Sequence, residues 1–166
     1  ALLDLINNRK ASSFDPTNKG GHGSTKYATW RDQEEGVFVD LPCIQSNRYE
    51  PYLAIRYCSD LPPFQEGFTG YGKNKMSWAM QLRRVGYQFS QLGGAFLVHY
   101  PHLDSKSRDE WNKKPELLHE KPLDALDGED KEQIDWQSFK RARVDALFIE
   151  YRKWLGSSVE NESRVP

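Results

Sequence analysis

The segment Phe64-Gln65-Glu66-Gly67-Phe68-Thr69-Gly70-Tyr71-Gly72-Lys73-Asn74-Lys75 gathers a carboxylate, aromatic rings, glycines and cations in a short span. Glycines such as Gly70 and Gly72 let a ligand approach the backbone closely. If the segment opens a helix, the free amides and partial positive charge of that helix start, joined by Lys75, suit a phosphate or a carboxylate. Glu66 on the same loop can act as a base or hold a hydroxyl. The competing reading is a tight turn plugged by Phe64, Phe68 and Tyr71. Composition alone favours the turn, because a single glycine-rich loop is a weak motif.

A second chemical element is Ala95-Phe96-Leu97-Val98-His99-Tyr100-Pro101-His102. A histidine at the end of a buried apolar strand is held rigidly enough to ligate a metal, and His99 and His102 are close enough in sequence to face one site. A hydrogen-bonded core His99 with a surface His102 is the alternative.

These residues need elements to position them. Val37-Phe38-Val39 is β-branched and aromatic and reads as a strand ended by Asp40-Leu41-Pro42. Tyr52 to Tyr57 alternates and reads as a second strand; Tyr87-Gln88-Phe89 and Ala95 to His99 read as two more, the last apolar and therefore buried. Lys75 to Val85 has helical spacing through Met76, Ala79, Met80 and Leu82, with Gly86 as its C-terminal cap. The clearest helix spans 131 to 156, with an apolar stripe of Ile134, Phe139, Val144, Leu147, Phe148, Tyr151 and Leu155, ended by Gly156 and Ser157-Ser158. The expected layout is a loop-rich start (1–24), an α/β core (25–102), a polar irregular segment (103–130), the long helix (131–156) and a mobile tail (157–166).

The chain has 166 residues, room for one domain with a substantial core. Its 23 basic and 24 acidic residues balance to a net charge of −1, which argues against a dedicated nucleic-acid binder. No apolar run approaches the roughly 20 residues of a membrane span. Residues 1–6 are too short for a signal-peptide core, so any targeting segment is expected upstream. Aromatic residues make up 13% of the chain. They can stack on sugar rings, but Trp30, Trp78, Trp111, Trp136 and Trp154 read first as packing residues, with Trp30 and Trp78 flanking the motif region.

The order of motifs is more specific than any one of them. Glu50-Pro51-Tyr52, then Phe64-x-Glu66-x-Phe68-x-Gly70-Tyr71-Gly72-x-Asn74-Lys75, then Gly86-Tyr87-x-Phe89, then Ala95-Phe96-Leu97-Val98-His99-x-Pro101-His102 resembles the family 49 glycosyltransferases. That family comprises the LARGE-type xylosyl/glucuronyltransferases and the related β-1,4-glucuronyltransferase. Upstream, His22-Gly23-x-Thr25-x-Tyr27-x-x-Trp30 looks like the motif that precedes this region in the family. The resemblance covers roughly residues 22 to 102 and is weaker in the C-terminal helix.

The resemblance implies the C-terminal, acceptor-side half of a GT-A domain, an α/β sandwich with a mixed sheet, flanking helices and a long C-terminal helix. It implies transfer of glucuronic acid or xylose from a UDP donor to a glycan acceptor, with inversion, assisted by Mn²⁺ held by an Asp-x-Asp motif and a later histidine. His99 matches that metal-binding histidine. Phe64, Phe68, Gly70, Tyr71, Gly72, Asn74, Lys75 and His102 match the substrate-lining positions, and Glu66 is the candidate acid/base. The resemblance also implies a type II membrane protein of the Golgi lumen, its membrane segment lying outside this chain. That secretory setting raises the odds that Cys43 and Cys58 pair rather than remain free.

Two departures from the family stand out. No Asp-x-Asp sits at a strand end; Asp124 and Asp127 have the wrong spacing, so the nucleotide-binding half is expected upstream or lost. Gln65 stands where relatives often carry Asp. Both departures favour the alternative function, a non-catalytic carbohydrate-binding or structural remnant of the same fold.

Overall fold

Helix propensity, caps and tight turns account for most of the local structure, and one helix divides two hydrophobic clusters. The computed structural model describes residues 2–113 and 139–164. Short helices open the chain: α1 (Leu2–Asn7), α2 (Lys19–His22) and α3 (Tyr27–Asp32). The stretch around α2 was expected to be loop, but the Asn18 side chain accepts from the Gly21 amide at 3.0 Å and nucleates one helical turn.

The β-prone run forms β1 (Phe38–Asp40), which pairs antiparallel with β2 (Ser90–Leu92) in the register Phe38↔Leu92, Val39↔Gln91 and Asp40↔Ser90. Backbone bonds extend the ribbon on both sides, Leu41 N to Phe89 O at 2.7 Å and Gly36 N to Gly93 O at 3.0 Å. The expected strand at Tyr87–Phe89 thus lies just before the ladder. Tyr52–Tyr57 and Ala95–His99 form no ladder. A β-prone run becomes a strand only beside a partner, and among the described residues the only ladder is β1–β2. Ala95–His99 is accordingly exposed rather than buried, with Leu97 at 74% and Val98 at 71%.

Helix α4 (Asn74–Arg84) is the central element. It ends as its sequence predicts. Gly86 adopts φ +89°, its amide donates to Arg83 O at 3.1 Å, and the Tyr87 amide donates to Leu82 O at 3.0 Å. This is the paired-bond C-terminal cap that a left-handed glycine permits. One cluster joins Leu82 to Leu41, Ile44, Tyr49 and Phe89, with Trp78 and Tyr87 against it.

The second cluster brings the C-terminal helix onto the Phe64–Lys75 loop. Helix α5 (Lys106–Asn112) lies within the segment expected to be irregular, started by Ser105, whose hydroxyl accepts from the Arg108 amide. Helix α6 (Lys140–Ser158) buries Val144, Tyr151 and Leu155 with Phe68, while Met80, Trp111 and Phe148 pack against them. The part of the expected helix over 131–138, with Ile134 and Trp136, and the polar residues 114–130, lie outside the described residues. The helix runs two residues past the expected bound at 156 and ends at Ser158, within the expected Gly156-Ser157-Ser158 stop. The segment expected to be a mobile tail is tied to α4: Arg84 donates to Val159 O at 2.7 Å and Gly156 O at 3.1 Å, and the Glu162 amide donates to Arg84 O at 2.8 Å. Cys43 and Cys58 are free thiols.

Candidate functional site

The glycine-rich loop is built from backbone conformations that glycine tolerates best. Gly70 has φ +70° and Gly72 φ +110°. Lys73 follows at φ 60° as the residue before α4, and its Nζ is fixed 2.7 Å from Asp145 Oδ1 and 4.8 Å over the Phe148 ring. Residues of α5 and α6 occupy the space beside the glycines. A Cβ on Gly72 would run into the Trp111 ring, and one on Gly70 would come within 2.9 Å of Lys140 Nζ. The protein's own side chains therefore fill positions that the sequence offers to a ligand.

Two amides at the start of α4 are likewise bonded within the chain. The Asn74 amide donates to Gly72 O at 2.9 Å, and the Asn74 side chain accepts from the Lys75 amide at 2.9 Å. Asn74 thus holds the helix start. Phe68 is buried, edge-on to Tyr151 at 5.7 Å and to Phe148 at 6.3 Å, so it is a packing residue rather than a ligand-facing one. Tyr71 is exposed beside Trp111, with ring centroids 5.8 Å apart.

The opposite character belongs to Phe64, Tyr52 and Lys75. Phe64, 49% exposed, stacks on Trp78 at 4.2 Å and 23°, and Trp78 Nε1 donates to Pro62 O at 2.7 Å. Lys75 Nζ lies 4.5 Å over the Tyr52 ring and 3.9 Å from Glu50 Oε2. At that distance Glu50 orients the ammonium without neutralising it through a close ion pair. The Glu50-Pro51-Tyr52 motif and the glycine-rich motif, apart in sequence, therefore meet at Lys75. Glu66 is exposed and has no hydrogen-bond or ion-pair partner among the described residues. Gln65 turns to α4, where its Nε2 donates to Gln81 Oε1 at 3.2 Å.

His99 and His102 lie side by side, with ring centroids 5.2 Å apart. Both are exposed. His99 also leans on Phe14 at 4.8 Å, and Phe14 meets the edge of the buried His22 at 5.1 Å. No group of three His, Cys, Asp or Glu side chains among the described residues can hold a metal ion. No described helix is long and apolar enough to cross a membrane.

Sequence reasoning missed the roles of Lys73 and Gln81, while Trp111 packs as its sequence reading expects. Only Lys73 carried a signal, as a cation adjoining the glycines; Gln81 acts through a contact distant in sequence. Burial pushes the Tyr151 phenol up to about 12, and its hydroxyl donates to Ser77 O at 2.7 Å, fastening α6 to α4 behind the loop.

The family profile described as "Glycosyl-transferase for dystroglycan" matches residues 1–124. Similar proteins include a xylosyl- and glucuronyltransferase LARGE2s of Danio rerio, 33% identical over 95 residues, covering 57% of this chain and 12% of that protein. The LARGE2s protein of Gallus gallus is 35% identical over 85 residues, covering 51% of this chain and 11% of its own length. The glycosyltransferase-like protein LARGE of Caenorhabditis elegans is 30% identical over 115 residues, covering 69% and 17%. The chain thus spans under a fifth of the length of these relatives. No solved structure matches it. The family match covers the loop, the α4 helix and both histidines, and it makes this chain a member of the family 49 glycosyltransferases.

Proposed function

We propose that this chain is the acceptor-side part of a GT-A-type transferase that moves a sugar of the glucuronic acid or xylose class from a UDP donor to a glycan. The observation that carries the reading is the meeting of two separated family motifs at Lys75, beside the exposed Phe64–Trp78 stack. Aromatic faces suit sugar rings, and an oriented ammonium suits a phosphate or carboxylate.

In this reading Glu66 takes the proton of the acceptor hydroxyl as its oxygen attacks the anomeric carbon. The new C–O bond forms on the face opposite UDP, the bond to the diphosphate breaks, and configuration inverts. Lys75 offsets charge on the phosphate or a sugar carboxylate. Asn74 acts indirectly by holding the start of α4. A divalent metal such as Mn²⁺, when bound, would stabilise the leaving diphosphate. The described residues do not make a complete site for it; His99, with His102 adjacent, would supply only part of a shell. A Golgi-lumen setting belongs to the same proposal and rests on the family alone.

The test is transfer from UDP-glucuronic acid and UDP-xylose to an oligosaccharide acceptor, together with UDP titration with and without Mn²⁺. Glu66→Gln should lower turnover by about 10²-fold or more, as expected for loss of a general base. His99→Ala should weaken metal-dependent UDP binding, with folding intact in both variants. Unchanged transfer in both variants would overturn the roles. Absence of UDP binding at any metal concentration would favour the carbohydrate-binding remnant.

A further inference from the structure

Arg9, Lys10 and Arg31 line an open concavity of about 410 Å³ together with Ser12 and Ser13. That volume lies in the range of clefts that bind small molecules. None of these five side chains has a hydrogen-bond or ion-pair partner among the described residues. Three exposed cations share the space with no carboxylate in its lining, which leaves a local excess of positive charge that an anion would offset.

Arg9 supplies an independent observation. Its amide donates to Ile6 O at 3.0 Å and the Lys10 amide to Leu5 O at 2.8 Å, the same paired cap that closes α4. In α4 the left-handed residue is Gly86; in α1 it is Arg9, at φ 57°. Glycine is the usual choice there because a Cβ strains the conformation. A cation thus stands where glycine would relax the backbone, and its side chain lines the concavity. A favourable interaction with the helix dipole is the rival account of Arg9.

We propose that this concavity binds an anionic group, a phosphate or a carboxylate, carried on a small polar ligand. It shares no residue with the Phe64–His102 segment and stands independently of the transferase reading. The guanidinium groups of Arg9 and Arg31 supply paired donors for the anion's oxygens, Lys10 adds charge, and the two serines supply hydroxyls.

The test is nuclear magnetic resonance of the whole 166-residue chain titrated with inorganic phosphate, glucuronate and glucose, with sodium chloride as an ionic-strength control. Saturable shifts at Arg9 to Ser13 and at Arg31 are expected with at least one anion and not with glucose. Tighter phosphate binding identifies a phosphorylated ligand, and tighter glucuronate binding a carboxylated sugar; both support the site. Arg9→Gly and Arg31→Gln should each weaken the better anion about three- to fivefold, the range of an exposed charge pair. Arg9→Gly should leave thermal stability unchanged or raised, since glycine suits φ 57°. Failure of both anions to saturate, an equal response to glucose or chloride, or undiminished affinity in Arg9→Gly would overturn the proposal, the last in favour of the dipole account.

Discussion

Replacing Tyr151 by phenylalanine probes the joint that holds α6 behind the loop. The side chain is 6% exposed, and its hydroxyl donates to Ser77 O at 2.7 Å. Burial raises the phenol from 10.0 to about 12, because a phenolate in that position would lose its hydration. The folded chain therefore holds this proton more tightly than the unfolded chain. The resulting stabilisation is complete below pH 10 and is lost as pH rises toward 12. At about 1.4 kcal/mol per pKa unit, wild type should lose about 1.4 kcal/mol by pH 11 and about 2.3 kcal/mol by pH 12. Tyr151→Phe lacks that loss but begins about 1 kcal/mol lower, for want of one hydrogen bond. Urea unfolding followed by tryptophan fluorescence from pH 8 to pH 11 measures both. Subtracting the curves removes the contributions of Tyr27 and Tyr49, which burial also raises. The gap of about 1 kcal/mol at pH 8 should close near pH 11. A gap that stays constant with pH would refute the account of Tyr151 as a buried, proton-retaining hydroxyl.

Three other substitutions test the packing around the site. Gly72→Ala should destabilise by about 2 kcal/mol or more through its φ of +110° and its collision with Trp111, and in a Trp111→Ala background the cost of Gly72→Ala should fall only by the collision part in urea melts. Gly156→Ala should stabilise by about 0.5–1 kcal/mol in thermal unfolding, because the residue is helical and nothing lies near the added methyl. Leu82→Ala should cost about 2–5 kcal/mol in chemical denaturation, since the side chain is fully buried at the centre of the first cluster.

What could be read from sequence tracks how local the signals are. Helix α4 and its Gly86 cap were legible because spacing, cap and the final basic residues lie within one short stretch. The run Ala95–His99 was misread because an apolar run says what a strand contains and not whether a partner lies beside it. Phe68 and Phe64 carried the same prior as loop aromatics, yet one is buried against Tyr151 and the other stacks exposed on Trp78. Only packing from distant elements separates them. Lys73–Asp145 and Tyr151–Ser77 link the middle of the chain to α6, and no local pattern announces such pairs. The meeting of Lys75 with Glu50 and Tyr52 was foreshadowed only by the order of family motifs.

The structure gives the glycine-rich loop two unlike sides, and this decides where a ligand can act. On one side Trp111, Lys140, Phe148 and Tyr151 crowd Gly70, Gly72, Phe68 and Lys73. Positive φ at the glycines serves that packing, so their presence is not in itself a sign of ligand approach. On the other side Phe64, Trp78, Tyr52 and Lys75 keep aromatic faces and an ammonium partly open to solvent. The supporting residues of α6 lie beyond the stretch matched by the family profile, whereas all of the open residues lie within it. A loop can keep its outward face while the scaffold behind it changes, provided the replacement fills the same volume and fixes the same helix start. Here that filling comes from α5 and α6, and Asn74 and Lys73 fix the start of α4 from which Lys75 projects. The chemistry proposed for Lys75 and Glu66 thus depends on a rear support that carries no catalytic group of its own.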